Sequence, residues 1–188
     1  MTDWVLAVER AYVRVATGDS VPIGGPPARL PYARAAVGAV ASHYLAVGAP
    51  RSFGLVVDGP ESCEEAALSL VAHQTWFQPT DLRCAGEGAD ELAREIGGRV
   101  TSFAEVLACD IVCLHAPIVL DPAALRRGTH VNVLAPATFA DELARVATIT
   151  HEAPGLGNLA AGLVDGRAFD EITVFVIGDA KIALAAVR

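Results

Sequence analysis

The chain has 188 residues, of which 53% are hydrophobic and 6% aromatic, and its formal net charge is −8. This length fits one domain, or one domain with a small appendage. The acidic charge argues against nucleic acid as the main partner and disfavours anionic membrane surfaces. No apolar run is long enough to span a bilayer and the N-terminus lacks a signal-peptide pattern, so the sequence predicts a cytoplasmic protein with no membrane contact.

Two helices are predicted before residue 50. Apolar residues recur at helical spacing between Trp4 and Ala16, and Gly18 follows as a stop signal. A loop rich in Pro and Gly comes next. Small apolar residues then indicate a second helix from about Tyr32 to Leu45. Because this helix has few polar positions, we expect it to be buried or to pack against another chain.

From residue 53 onward, short apolar strands alternate with helices. Five strands are predicted at residues 53–57, 81–84, 111–115, 130–134 and 146–150, with helices between them at about 63–76, 89–96 and 139–144. Residues 102–105 and 138–141 resemble helix N-terminal caps. A short helix, a β-like run at 172–176 and a final helix at 180–187 follow. The alternation is typical of an α/β protein with a doubly wound, Rossmann-like parallel sheet.

The turn after the first strand lies where dinucleotide-binding proteins keep the glycines of G-x-G-x-x-G. Only Gly59 of that set is present. Pro60 removes an N–H donor, and Asp58 and Glu61 place negative charge where a phosphate would lie. Gly59 and the helix that begins near Ser62 still offer some contact to a pyrophosphate. The sequence therefore predicts either no NAD(P) cofactor or a weakly bound one.

The four cysteines are Cys63, Cys84, Cys109 and Cys113. Their spacing is not CxxC and no cluster of histidines accompanies them. Buried free thiols are therefore predicted, rather than a metal site or disulfide bonds.

Four stretches of the chain match motifs of one known family. Residues 30–46 contain L-P-Y-A-R-A-A and S-H-Y-L-A, residues 127–133 read R-G-T-H-V-N-V, and residues 170–175 read D-E-I-T-V-F. With the opening helix at residues 7–18, these stretches resemble, in the right order, the ornithine cyclodeaminase/mu-crystallin family. The activities of this family include cyclising deamination of ornithine, alanine dehydrogenation and imine reduction, with NAD(P) bound in a Rossmann domain.

The resemblance implies a division of the chain into three segments. Residues 1–50 would be a shortened remnant of the substrate and dimerisation domain, and residues 51–154 the Rossmann-like domain. Residues 155–188 would pack back on the N-terminal helices, so that the two ends form a small helical dimerisation appendage. The resemblance also implies a homodimer and a small carboxylate ligand, because Arg34 matches the arginine that holds the substrate carboxylate in the family.

The chain departs from the family pattern at four functional positions. The stretch between Gly18 and Leu30, which carries most of the substrate-domain sheet in the family, is much shortened. The glycine-rich turn is altered. The acid that binds the adenosine ribose is expected at about Gly86, with Glu87 one place away. The catalytic aspartate is expected within residues 134–138, where no acid stands.

A few polar residues remain as candidates for binding or catalysis. Arg34 is interpreted either as a carboxylate binder or as half of an intramolecular ion pair. His115 closes a strand at the edge where such folds bind ligands, so it is either a general acid or base or a histidine with satisfied hydrogen bonds. His130 and Asn132 are predicted to be structural. Asp141 either replaces the missing catalytic acid or caps a helix.

Two functions are consistent with these patterns. The first is a degenerate family member that lacks cyclodeaminase activity and acts as a homo-oligomeric binding or accessory protein. The second is an NAD(P)-dependent oxidoreductase or ammonia-lyase that acts on a small amino or imino acid. In the second case Arg34 would hold the carboxylate, His115 would move a proton, and Gly59, Ser62 and Glu87 would contact the cofactor.

Overall fold

The computed structural model describes residues 3–168 and 170–187. In these ranges the helices are α1 (Asp3–Ala16), α2 (Leu30–Leu45), α3 (Pro60–His73), α4 (Ala89–Ile96), α5 (Phe103–Leu107), α6 (Leu143–Val146), α7 (Gly157–Ala160) and α8 (Lys181–Ala186). The strands are β1 (Ser52–Asp58), β2 (Asp81–Glu87), β3 (Arg99–Val100), β4 (Ile111–Leu114), β5 (Ile118–Leu120), β6 (His130–Val133), β7 (Ala137–Phe139), β8 (Ala147–His151) and β9 (Ile172–Val176). None of the described helices is long and apolar enough to cross a membrane.

Seven of the described strands form one sheet in the order β3-β2-β1-β4-β6-β9-β8. Every pairing in this sheet is parallel. The strand order reverses between β1 and β4, and the carboxyl ends of parallel strands on either side of such a point form a crevice. This arrangement confirms the predicted doubly wound, Rossmann-like α/β fold.

The sheet is covered on both faces because its strands are apolar on both sides. Along β1, Phe53, Leu55 and Val57 point into a core formed with α3 and α4. Val56 and, on β4, Val112 point to the opposite face and a second core. The buried, alanine-rich helix α2 lies on the same face as α3, where its small residues allow close approach to β6. This close approach brings α2 over the carboxyl ends of the central strands.

A buried carboxylate joins the N-terminal helix to the loop after β9. Glu152, only 5% exposed, accepts a hydrogen bond from the hydroxyl of Tyr12 on α1. Its other oxygen accepts from the backbone N–H groups of Gly178, at 2.7 Å, and Ala180, at 3.1 Å. Burial, and then the Glu152 charge, raise the pKa of Tyr12 far above its ordinary value, so the phenol stays a donor.

The Tyr12–Glu152 contact can be tested by mutation. Tyr12→Phe leaves one carboxylate oxygen without its phenol donor, so we expect the free energy of unfolding to fall by about 1–3 kcal/mol. Urea unfolding measures the loss. Tyr32→Phe is the matched control, because Tyr32 is 43% exposed. This variant should lower the free energy of unfolding by less than about 0.5 kcal/mol. Equal losses in the two variants would contradict the assigned role of the contact.

Two local predictions from the sequence are wrong. Residues 139–144 do not form a helix, since Phe139 ends the strand β7 and α6 occupies only Leu143–Val146. Residues 138–141 therefore are not a helix cap. Thr138 and Phe139 favour extended backbone, and parallel pairing with β5 stabilises it there. The other predicted cap is confirmed, because Ser102 and Glu105 form a complete capping box at the start of α5.

The β-like run at residues 172–176 is the strand β9, and it is part of the main sheet. It pairs with β6 on one side and with β8 on the other. The C-terminal segment thus contributes both to the sheet and to the helical layer formed by α1, α2, α7 and α8.

Candidate functional site

A cavity of about 300 Å³ opens at the carboxyl ends of β6 and β9. Most of its wall is apolar, and Arg34 on α2 is its single charged lining residue. The rest of the wall comprises Val133, Leu134, Ala135, Pro136, Ala137, Phe139, Val176, Ile177 and Gly178. Such a cavity can hold the carboxylate of a small molecule at the guanidinium and an apolar group against the wall.

Three ionisable side chains lie in a row beside this cavity. Arg34 Nη1 is 3.6 Å from Glu65 Oε2, and the same oxygen is 3.8 Å from His115 Nδ1. The second distance is too long for a hydrogen bond, so the Glu65 carboxylate faces the His115 ring without bonding it. Arg34 and Glu65 are partly exposed, with side-chain exposures of 30% and 27%. Arg34 therefore forms an intramolecular ion pair, as one of its two interpretations expects, and it also lines the cavity.

His115 is buried without hydrogen-bond partners for its ring. It directly follows β4, its side chain is 2% exposed, and its backbone N–H bonds the carbonyl of Val56 at 2.8 Å. Both Nδ1 and Nε2 lack a partner among the described residues. The acid–base role and the structural role of His115 therefore both stay predictions. An unpaired buried polar group is costly, and sites of binding or catalysis commonly account for such groups.

The charges of this row are set by its surroundings. Burial lowers the pKa of His115, and the neighbouring Glu65 only partly opposes that effect. The imidazole is therefore neutral near pH 7. His115, and then Arg34, hold the pKa of the Glu65 carboxyl below its ordinary value against the effect of burial. The free protein thus carries an ionised Glu65 between a cationic Arg34 and a neutral His115.

A buried polar network lies beneath the cavity. His73 on α3 bonds the Ser69 carbonyl through Nδ1, at 2.6 Å, so its Nε2 accepts from the Ser42 hydroxyl at 2.8 Å. The Asn132 amide then donates to Ser42 Oγ at 2.8 Å, and Asn132 Oδ1 lies 3.2 Å from His130 Nε2. This network joins α2, α3 and β6, and it confirms the structural role predicted for His130 and Asn132.

The network continues to β9 and fixes α2 on the sheet. His130 Nδ1 lies 2.8 Å from the hydroxyl of Thr173, which is also 2.8 Å from the Leu45 carbonyl at the end of α2. Burial lowers the pKa of His73 to about 4 and that of His130 to about 3, so both rings are neutral near pH 7. The network holds the C-terminal end of α2 on the sheet. It thereby also positions Arg34, which lies near the N-terminal end of the same helix.

The altered glycine turn is closed by its own serine. Ser62 Oγ accepts a hydrogen bond from the Asp58 N–H at 2.8 Å and donates one to the Gly59 carbonyl at 2.8 Å. Its hydroxyl proton is therefore used inside the turn. Gly59 has a φ of 140°, which few other residues adopt, and it precedes Pro60 at the start of α3. The described turn keeps a glycine conformation, but its serine already has partners.

Acidic side chains surround this turn. Asp58 and Glu87 are paired residues at the ends of β1 and β2, and Glu61 lies in the first turn of α3. All three are exposed. A Cβ atom on Gly86 would lie 1.9 Å from the Val57 carbonyl oxygen, so no side chain fits at the place expected for the ribose-binding acid. Glu87 is therefore the acid that the end of β2 presents.

One residue of the row was not predicted from the sequence, and one predicted candidate lies apart from the cavity. Glu65 had no signal in the sequence, because two other acids precede it on the same helix and only packing of α2 on α3 selects it. Asp141 is exposed in a turn before α6 and is not among the residues that line the cavity. Leu134 and Ala137, within the stretch expected to hold the catalytic aspartate, form part of the apolar wall.

The sheet and its crevice define a Rossmann-like α/β protein. No protein-family model and no curated protein sequence matches the chain, but solved structures do. An archaeal alanine dehydrogenase dimer with bound NAD superposes with a TM-score of 0.78 and 18% identity, over 98% of this chain and 88% of that one. The Thermococcus litoralis Δ1-pyrroline-2-carboxylate reductase, in complex with NADH and L-proline, gives a TM-score of 0.74 and 16% identity, over 99% and 92%.

A probable ornithine cyclodeaminase from Bordetella pertussis Tohama I gives a TM-score of 0.65 and 20% identity, over 82% of this chain and 63% of that one. The chain thus spans less than two thirds of that cyclodeaminase. These structures confirm, at the level of the fold, the resemblance to the ornithine cyclodeaminase/mu-crystallin family. The protein described here shares the fold of these solved structures.

Proposed function

We propose that this protein binds a small carboxylate at Arg34, lacks cyclodeaminase activity, and acts as a homo-oligomeric binding or accessory protein. The observation that carries the proposal is the cavity, which combines one guanidinium with an otherwise uncharged wall. A guanidinium holds a carboxylate through two parallel hydrogen bonds, and the apolar wall then favours a short hydrocarbon group. The described lining residues include no acid, and the neighbouring Glu65 carboxylate is already paired with Arg34, which disfavours the ammonium group of an amino acid.

The residues of the glycine turn support a protein that carries out no redox chemistry. A dinucleotide diphosphate needs free N–H donors and positive potential at the helix N-terminus. Here Pro60 lacks an N–H, the Ser62 hydroxyl has partners within the turn, and Asp58, Glu61 and Glu87 add negative charge. These groups do not fit a diphosphate, so the proposed function includes no hydride transfer.

The alternative is an NAD(P)-dependent oxidoreductase or cyclodeaminase for a small amino or imino acid. Two observations favour it. The similar alanine dehydrogenase and pyrroline-2-carboxylate reductase hold NAD and NADH. His115 also has two unpartnered ring nitrogens at the crevice, which suit proton transfer to a bound substrate. In this alternative Arg34 binds the substrate carboxylate, as in the main proposal.

Titration with cofactor and with a carboxylate separates the two functions. We expect no saturable change in NADH or NADPH fluorescence at millimolar cofactor, whereas butyrate raises the melting temperature in a saturable manner. Arg34→Gln should abolish the effect of butyrate. Arg94→Gln, which removes an exposed arginine on α4, is the matched control and should leave it unchanged. Tight saturable binding of NADH would overturn the degenerate function, and butyrate binding that survives Arg34→Gln would overturn the carboxylate site.

The proposed homo-oligomer has a candidate surface. A groove of about 700 Å³ runs between α1 and α8, and its lining combines apolar residues such as Trp4 and Ile182 with the charged Asp3, Arg10 and Arg14. The similar archaeal alanine dehydrogenase is a dimer, and a second copy of the chain would cover the apolar part of this groove. Light scattering should therefore report twice the mass of one chain. A monomer at every accessible concentration would contradict this part of the proposal.

A further inference from the structure

The row Arg34–Glu65–His115 contains one carboxylate for two basic groups. Glu65 Oε2 is 3.6 Å from Arg34 and 3.8 Å from His115, so it lies almost midway between them. In the free protein this oxygen neutralises the guanidinium that also lines the cavity. A carboxylate ligand at Arg34 must therefore compete with Glu65 for the same positive charge.

A displaced Glu65 has a second partner close at hand. A shift of about 1 Å toward His115 brings the carboxylate to the distance of a charge-assisted hydrogen bond. The ring is buried and unpartnered in the free protein, so this bond would satisfy Nδ1. An imidazole that faces an ionised carboxylate in a buried setting binds a proton more strongly.

We infer that Glu65 is an internal counter-ion, which occupies Arg34 in the free protein and moves to His115 when a carboxylate ligand binds. The inference rests on the carboxylate site proposed above. The transfer couples ligand binding to the uptake of one proton from solvent by His115, and no covalent bond is formed or broken. Glu65 is thus a positioning residue, and it lowers the affinity of the site for carboxylates at high pH.

The charges around His115 agree with this assignment. Glu65 and the neutral His73 face it from α3, Arg34 faces it from α2, and Asp58 lies at the end of β1. In the free protein the guanidinium opposes protonation of His115. Neutralising that guanidinium with a ligand carboxylate removes the opposition, while Glu65 and Asp58 continue to favour the imidazolium. Both effects of the ligand therefore raise the pKa of His115.

The free protein gives a first test that needs no ligand. NMR titration of the five histidine rings measures the pKa of His115, whose resonance is assigned by its loss in His115→Asn. We expect Glu65→Gln to lower this pKa and Arg34→Gln to raise it. Glu64→Gln is the matched control, since it removes the same charge from the neighbouring, exposed position on α3. Equal pKa values for His115 in wild type and Glu65→Gln would overturn the inference.

The second test uses butyrate, whose carboxyl stays ionised between about pH 8 and about pH 6. Its affinity for the wild type should rise toward lower pH, by at most about tenfold per pH unit for one proton. Glu65→Gln should bind butyrate about fivefold more tightly at about pH 8, because a partly exposed ion pair no longer competes. Its affinity should also depend less on pH, whereas Glu64→Gln should behave as the wild type.

The outcomes distinguish this inference from the proposed function. If butyrate does not stabilise the wild type at any pH, the carboxylate site fails and the coupling fails with it. If butyrate binds through Arg34 with the same affinity at both pH values and in Glu65→Gln, the site stands and the coupling to Glu65 is wrong. A rise in the His115 pKa on saturation with butyrate, absent in Glu65→Gln, supports the counter-ion role.

Discussion

Lowering the pH from about 7 to about 5 is expected to reduce the free energy of unfolding by about 4 kcal/mol. The cause is the buried network beneath the cavity. Burial lowers the pKa of His73 to about 4 and that of His130 to about 3, whereas both rings titrate near their ordinary value of about 6.5 in the unfolded chain. Below that value the unfolded state binds protons that the folded state cannot, so stability is full above it and falls as the pH drops.

Each of the two histidines contributes about 2 kcal/mol to this loss by pH 5, which is large against a typical total of about 5–15 kcal/mol. Burial lowers the pKa of His115 as well, so it acts in the same direction.

Urea unfolding at several pH values measures the effect. His130→Gln should remove about half of the pH dependence, because one of the two rings no longer titrates. His43→Gln is the control, since His43 is exposed on α2 and stacks on Trp76 outside the network. A difference of less than about 1 kcal/mol between pH 7 and pH 5 would show that the two rings are not held neutral by burial.

Gly86→Ala is expected to destabilise the protein by about 3–5 kcal/mol. Gly86 has a φ of 110°, which strains any residue with a side chain, and the added Cβ would lie 1.9 Å from the carbonyl oxygen of Val57. That oxygen belongs to β1, the neighbouring strand, so it cannot move without opening the pairing between β1 and β2. The clash therefore adds to the backbone strain.

Gly97→Ala separates the clash from the strain. Gly97 also has a positive φ, of 70°, but a Cβ placed there meets nothing within 4 Å. We expect this variant to lower the free energy of unfolding by only about 1 kcal/mol. Chemical denaturation of the two variants alongside the wild type gives the comparison. If Gly86→Ala and Gly97→Ala have the same free energy of unfolding, the added Cβ at Gly86 does not clash with β1, and the close approach between the ends of β1 and β2 is contradicted.

Periodicity predicted the parallel sheet because the apolar strands and the crossover helices repeat in a regular order. The positions of β1 and β4 follow directly from their short runs of buried Val, Leu and Ile, whereas β6 alternates Val with the polar His130 and Asn132. Strand pairing is different. Nothing in the residues 172–176 indicates that they pair between β6 and β8, because pairing depends on the space left beside β6 once the earlier strands are in place.

The sequence predicted only those residues of the candidate site that lie at the end of a predicted strand or in a helix that matches a family motif. Arg34 matched a family motif, and His115 followed from its place at the end of β4. Glu65 and His73 depend instead on how α2 packs against α3. Ser42 and His73 are 31 positions apart in the chain, and their 2.8 Å contact is set by that packing. Side chains that meet across two helices leave no spacing signal in a single sequence.

The place of β9 in the sheet bears on how the chain is made. Among the described strands, β8 pairs only with β9. The other edge of β9 pairs with β6. During synthesis, the ribosome therefore releases β1 to β8 before the strand that joins β8 to the rest exists. Until residues 172–176 emerge, the edge of β6 is unpaired, and unpaired strand edges recruit chaperones or other nascent chains. Folding of this protein is thus expected to finish after translation has passed those residues, and a ribosome stalled before them would hold an aggregation-prone intermediate.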